Sequence, residues 1–335
     1  MGPRRPKGSA PVDISVIAAQ ARRIVDTVET AVVGKRPVVK SALATLLSNG
    51  HLLIEDIPGV GKTTLAKALA RALGCEFKRI QFTPDLLPSD VTGTSIFNQK
   101  EGEFQFRAGP VFANIVLADE VNRATPKTQA ALLECMEERQ VTVDGVTYPL
   151  PSPFFVIATQ NNIELSGTYP LPEAQLDRFT ARLAIGYPGR EDELRVLENQ
   201  MHTRPVDAIQ PVMSGPDVVI LQHHIRDVHV DTALRQYVID ISEATRSHPA
   251  IALGASPRGS LALQYASQAV ALMASRDYVA PDDIKSMAVP VLAHRIIVRP
   301  EQRIRGLTAR ECVAEILERV PVPVGAERAA GAARL

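Results

Sequence analysis

The stretch Gly59-Val60-Gly61-Lys62-Thr63-Thr64 constrains this chain most, because of what flanks it. Before it lies the apolar run His51-Leu52-Leu53-Ile54, which reads as a buried strand. After it Leu65, Leu69 and Leu73 recur at helical spacing and stop at Gly74, a good helix terminator. A glycine-rich turn between a strand and a helix lets backbone N–H groups converge on an anion, and the helix N-terminus adds positive potential. Within that turn Lys62 is expected to reach the β- and γ-phosphates of a nucleotide, and the Thr63 hydroxyl to ligate Mg²⁺. Pro58, Val60 and Thr64 complete the loop. One position departs from the common pattern: Asp56 stands where a first glycine is usual.

Other short apolar runs follow. Ile115-Val116-Leu117 and Phe154-Phe155-Val156-Ile157 are nearly continuous, and Lys78-Arg79-Ile80-Gln81-Phe82 is weaker. Runs of this kind suit strands of a parallel sheet covered by helices on both faces. Thr125-Pro126 opens a helix carrying Leu132, Leu133 and Met136. Upstream, Ile14, Ile17, Ala21, Ile24, Val25 and Val28 predict one amphipathic helix, capped by Asp13 and ending near Val33-Gly34. Residues 13–187 are therefore read as this helix plus an α/β domain. Past Pro188-Gly189-Arg190, helical patterns dominate, opened or marked by Leu194 and Leu197, Asp231, Ser256-Pro257 and Pro281. They predict a smaller all-helical domain over 188–320. Residues 1–12 and 321–335 are expected to be disordered tails.

Ile115-Val116-Leu117-Ala118-Asp119-Glu120 ends a strand in two carboxylates. Alone this is a common solvated turn. Downstream of a phosphate loop it suits an acid that holds the Mg²⁺ hydration shell, Asp119, followed by a base that accepts the proton of attacking water, Glu120. Asn161, at the tip of the next strand, could orient that water, although Asn after a strand is ordinarily turn chemistry.

Lys+Arg 37 balances Asp+Glu 37, Trp is absent and aromatics are 4%. Such a chain offers neither the charge nor the stacking surfaces that general nucleic-acid affinity requires, so no nucleic-acid partner is expected. Cys75, Cys135 and Cys312 are far apart and odd in number, which fits a reducing cytoplasm, and Cys135 reads as a small core residue. No run of 18 apolar residues predicts a membrane span.

Lys62, Asp119-Glu120, Asn161, Leu176-Asp177-Arg178-Phe179 and Gly254-Ala255-Ser256-Pro257-Arg258 together resemble an AAA+ ATPase, and most closely the MoxR family. Three stretches carry the closer likeness. They are Glu55 to Thr63, Gly109-Pro110-Val111-Phe112-Ala113-Asn114 leading into Asp119 to Ala124, and Gly167-Thr168-Tyr169-Pro170 onward to Phe179. Asp56 is similar to that family's usual form. The resemblance spans about 30–320 and implies a P-loop αβα domain with a helical lid, ATP and Mg²⁺ at the loop, and a homo-oligomeric, hexameric ring. It implies a protein client and a partner with a von Willebrand factor A domain, and chaperone-like maturation of a complex. By position Asn161 is similar to the sensor-1 residue, Arg178 to an arginine finger offered to a neighbouring subunit, and Arg258 to the lid's sensor-2 residue. Two hairpins, Gln140–Tyr148 around Asp144-Gly145 and Ser95-Ile96-Phe97 with Phe104-Gln105-Phe106, resemble insertions that touch client or DNA in this branch. A DNA-dependent motor and a magnesium chelatase-like subunit are the alternatives. Neutral charge speaks against the first, and the Gly167–Phe179 likeness against the second.

Overall fold

The computed structural model describes residues 14–161, 167–200 and 204–323. The expected cap Asp13, the tail 1–12 and most of the tail 321–335 lie outside them; packing against the core continues to Val322.

Along the chain come α1 (Ile14–Glu29), α2 (Arg36–Leu47), β1 (Leu52–Glu55), α3 (Lys62–Ala72), β2 (Phe77–Gln81) and α4 (Pro88–Thr92). The hairpin β3 (Gly93–Asn98) and β4 (Glu103–Ala108) follows, then β5 (Ile115–Asp119), α5 (Pro126–Glu138), and the hairpin β6 (Gln140–Val143) and β7 (Val146–Pro149). The core closes with β8 (Phe155–Gln160), α6 (Glu173–Leu176) and β9 (Ala181–Leu183). Next are α7 (Arg190–Gln200), α8 (Pro205–Ala208), α9 (Gly215–Ile225) and α10 (Thr232–Ser247). The lid ends with β10 (Ile251–Leu253), α11 (Pro257–Met273), α12 (Pro281–Leu292), β11 (Ile297–Val298), α13 (Pro300–Ile304) and α14 (Ala309–Arg319).

Five strands form one parallel sheet in the order β2-β5-β8-β1-β9. Alternate side chains of each strand point to opposite faces. Leu52, Ile54, Ile115, Leu117, Phe155 and Ile157 enter one core, shared with α1, α2, α3 and the lid helices. Leu53, Val116, Ala118, Val156 and Ala158 enter a second core with Leu132, Leu133 and Met136 of α5. The three-layer sandwich expected from continuous apolar runs is the result, and it puts α3 and α5 on opposite faces.

Both hairpins fold where their alternation predicts. Asp144 and Gly145 both take positive φ, 50° and 78°, as a two-residue type I′ turn demands. The hairpins touch through Phe106, stacked on Tyr148 with centroids 4.1 Å apart.

Two expectations need correction. The N-terminal helix ends at Glu29, not near Val33, and α2 follows it unforeseen. From Ala42 to Leu47 every residue of α2 is buried, so the second half of the helix shows no polar face by which periodicity could be seen. The lid is helical but holds one antiparallel ribbon, β10 with β11, whose strands are too short to register as alternation. Leu194 and Leu197 do mark a helix, α7, on which both are exposed.

Candidate functional site

Strand register gathers the site at the carboxyl ends of the sheet, the usual location in open parallel sheets. Glu55 of β1 pairs with Gln160 of β8, and Gln81 of β2 pairs with Asp119 of β5. The phosphate loop, Asp119-Glu120 and Asn161 all leave the sheet there.

Gly59 and Gly61 have φ of +84° and +94°, and nothing lies within 4 Å of where a Cβ would stand. The loop therefore forms an open cradle, with Gly61 as the cap of α3. Lys62 Nζ donates to Asp56 O at 2.5 Å and to Gln160 O at 3.4 Å, which stretches its side chain over the loop. Burial pulls the Lys62 ammonium below the ordinary lysine value, against the opposing pull of Asp56, Asp119 and Glu120. Asp56 has a part the sequence did not disclose. Its Oδ2 accepts Ile185 N at 2.6 Å and Gly186 N at 2.7 Å, and its Oδ1 accepts Ile57 N at 2.8 Å. A glycine could not tie the loop to the exit of β9 in this way.

Glu120 sits in the left-handed region at φ 57°. Its N–H donates to Thr159 Oγ1 at 2.8 Å, and Thr159 Oγ1 in turn donates to Asp119 Oδ1 at 2.6 Å. Arg79 Nη2 donates to Asp119 Oδ2 at 2.7 Å, and Gln81 Nε2 to Glu120 Oε2 at 2.8 Å. Arg123 Nε lies 3.4 Å from Glu120 Oε2. Thr159, Arg79 and Gln81 were missed; the signal available was their place at strand ends beside Asp119. Because the Thr159 hydroxyl is buried and serves two partners, Thr159→Val is expected to destabilise the fold by about 1–3 kcal/mol, measurable by urea unfolding.

Asn161 is buried directly after β8, and its carbonyl lies 3.4 Å from Asn122 Nδ2. Arg178 and Arg258 go elsewhere. Arg178 Nη1 donates to Leu133 O at 2.8 Å, and Arg258 pairs with Glu137. Leu133 and Glu137 are one turn apart on α5, across the sheet from α3. Asp177 does not pair with Arg178; it takes Arg295 instead.

A cavity of about 410 Å³ opens beside the loop, lined by Gly59, Thr63, Lys67, Val32, Pro188 and Asn199 among others, so chain on both sides of the 188 linker frames it. The open cradle, the lysine and the helix N-terminus fit a nucleotide polyphosphate. The Thr63 hydroxyl and the Asp119 carboxylate supply the hard oxygen donors that Mg²⁺ prefers. Cys135 lies in the second core, and burial pushes its thiol up to about 12, which suits packing and not nucleophilic work. Among the described residues, no helix is long and apolar enough to cross a membrane.

Comparison with known proteins agrees with this geometry. Residues 51–181 match the model of an ATPase family associated with various cellular activities (AAA), and residues 243–316 match an AAA lid domain. A Bacillus subtilis protein, YeaC, is 53% identical over 90% of this chain and 94% of its own length. Chaperone MoxR1 of Mycobacterium tuberculosis is 42% identical over 90% of this chain and 82% of its own. A crystal structure from Cytophaga hutchinsonii, solved as a candidate ATPase, superposes with a TM-score of 0.86 at 40% identity, covering 93% of this chain and 97% of that one. A full-length MCM homologue from Methanopyrus kandleri shares the fold alone, at 18% identity and a TM-score of 0.55. With the family model over the sheet domain, the lid model beyond it, and a MoxR relative 42% identical over 90% of this chain, the chain belongs to the MoxR family of AAA+ ATPases.

Proposed function

We propose that the chain hydrolyses ATP to ADP and phosphate as a closed homo-oligomeric ring, a hexamer, and that the cycle remodels a protein client during maturation of a complex. One observation carries the ring: Arg178 and Arg258 are both bonded to the last turns of α5, across the sheet from the helix that follows the phosphate loop. A subunit whose candidate finger faces away from its own loop is completed by a neighbour. Within each site Lys62 holds the phosphates, Glu120 takes the proton of attacking water, and Asn161 orients that water. Mg²⁺ held by Thr63, with Asp119 on its hydration shell, would neutralise charge building on the phosphates. A relative named as a chaperone supports the remodelling half of the reading, and the family resemblance supports a von Willebrand factor A domain partner. A cytoplasmic site of action is part of the same proposal.

The test is concentration. Sedimentation should show ATP-dependent assembly, and turnover per chain should fall on dilution through the assembly midpoint. Full turnover by a monomer would remove the ring.

The hairpins are the client-coupling candidates. Phe97 and Phe104 are 50% and 73% exposed on β3–β4, and Val146 is exposed at the tip of β6–β7. Deleting the Val143–Val146 tip spares the Phe106–Tyr148 stack and touches no phosphate contact. Basal ATPase is expected to persist while stimulation by a client is lost, read by phosphate release with and without the client. A folded tip deletion with full client response would end the coupling role.

A further inference from the structure

Arg295 lies in a short turn after α12, its side chain 2% exposed. Its Nε donates to Asp177 Oδ1 at 2.7 Å. Its Nη2 donates to Phe179 O at 2.7 Å and Asp177 O at 3.1 Å, and its Nη1 to Thr180 O at 3.0 Å and to Val291 O. His294 Nε2 lies 2.9 Å from Phe179 O, and Ser256 Oγ, at the start of α11, donates to Asp177 Oδ2 at 3.2 Å. The lid thus grips the chain on both sides of Arg178, while the Arg178 side chain itself reaches α5. Burying a guanidinium is costly unless its donors are met, and a planar fork meets several carbonyls in one fixed geometry. Here four of those acceptors belong to residues 177–180.

We propose that Arg295 is a positioning residue which ties the lid to the backbone of Arg178, so that lid position in one subunit sets how Arg178 meets the neighbouring subunit's nucleotide. The proposal rests on the reading of Arg178 as acting in trans. The nucleotide cavity supplies the input, since residues 188–206 on the lid side of the linker line it together with the phosphate loop. A nucleotide bound there meets residues beyond the 188 linker as well as the phosphate loop, the lid holds 177–180 through Arg295, and the Arg178 side chain reaches α5, away from α3. The coupling therefore runs in one direction around the ring.

Mixed rings test both the direction and the residue. A reference ring combines Glu120→Gln, which supplies Arg178, with Arg178→Ala, which supplies an intact phosphate loop and Glu120. Its ATPase recovery tests the trans reading alone, and no recovery there removes both that reading and this proposal. Arg295→Lys keeps the charge and loses the fork. Added to the Glu120→Gln chain, it is expected to lower recovery about 10²-fold, the scale of a misplacement near 1 Å at a reacting centre. Added to the Arg178→Ala chain, it is expected to leave recovery at the reference level. Equal losses in both chains, or a loss only in the second, would overturn the proposal while the trans reading stands. A merely structural Arg295 weakens whichever chain carries it, so the asymmetry is the discriminating readout. Asp177→Asn, close in shape but without the ion pair, is the second variant; it should give the same asymmetry, and if Arg295→Lys does not fold, a symmetric result with Asp177→Asn is equally fatal.

Discussion

Arg178→Ala is expected to bind ATP like the parent chain and to turn it over about 10³–10⁵-fold more slowly, the range over which an arginine finger stabilises a transferring phosphoryl group. Folding should survive. The side chain gives up one partly buried bond to Leu133 O, a loss of about 1 kcal/mol, and leaves both cores untouched. Binding should survive because the phosphate cradle is built from Gly59 to Thr64, and Lys62 reaches Asp56 and Gln160 rather than Arg178. Fluorescence titration with a nucleotide analogue and a phosphate-release assay separate the two effects. Turnover within a few-fold of the parent would reduce Arg178 to a brace for α5. Loss of ATP affinity would instead put it in the cradle of its own chain.

Sequence legibility followed how local the physics is. The strand, glycine loop and helix around Gly59 to Thr64 could be read outright, because all three lie within one stretch of chain and each is required by the others. The sandwich was readable from Ile115–Leu117 and Phe154–Ile157, since a strand buried on both faces has no polar positions to show. That same rule hid the second half of α2, where every residue from Ala42 to Leu47 is buried and no exposed position marks the period. What escaped entirely were contacts between distant segments. Asp56 could be noted as an oddity, but its grip on Ile185 and Gly186 depends on β9 lying next to β1. Gln81 and Thr159 flank Glu120 only because the sheet order is β2-β5-β8, which no periodicity reveals. Arg295 is one arginine among many until the fold closes it on Asp177, more than a hundred residues away. The strand β9, three residues long, owes its place to pairing with β1 and to the Arg182–Glu55 ion pair at 2.7 Å.

Glu120→Gln and Lys62→Ala should fail in opposite ways, and the contrast tests the site as a unit. Gln is the shape of Glu, and its amide oxygen can still accept from Gln81 Nε2, so the left-handed backbone at 120 and its bond to Thr159 should persist. What disappears is the proton acceptor, a role worth about 10²–10⁴ in rate. Glu120→Gln is therefore expected to bind ATP normally, hydrolyse it at most about a hundredth as fast, and hold assembled rings and clients that normally leave on turnover. Lys62→Ala removes an ammonium already partly desolvated above an open cradle, the charge the phosphates would meet. A hydrogen bond to a charged group contributes about 1.5–3 kcal/mol, so ATP affinity should fall about ten- to a hundredfold, with catalysis falling behind it. Calorimetric titration with ATP reads the first difference, and single-turnover hydrolysis at saturating ATP reads the second. Equal ATP affinity in Lys62→Ala and the parent would sink the phosphate-loop assignment. A Glu120→Gln chain that still hydrolyses would move the base to another group within reach of the same water, and Asp119, tied as it is to Arg79 and Thr159, is the carboxylate least free to take it over.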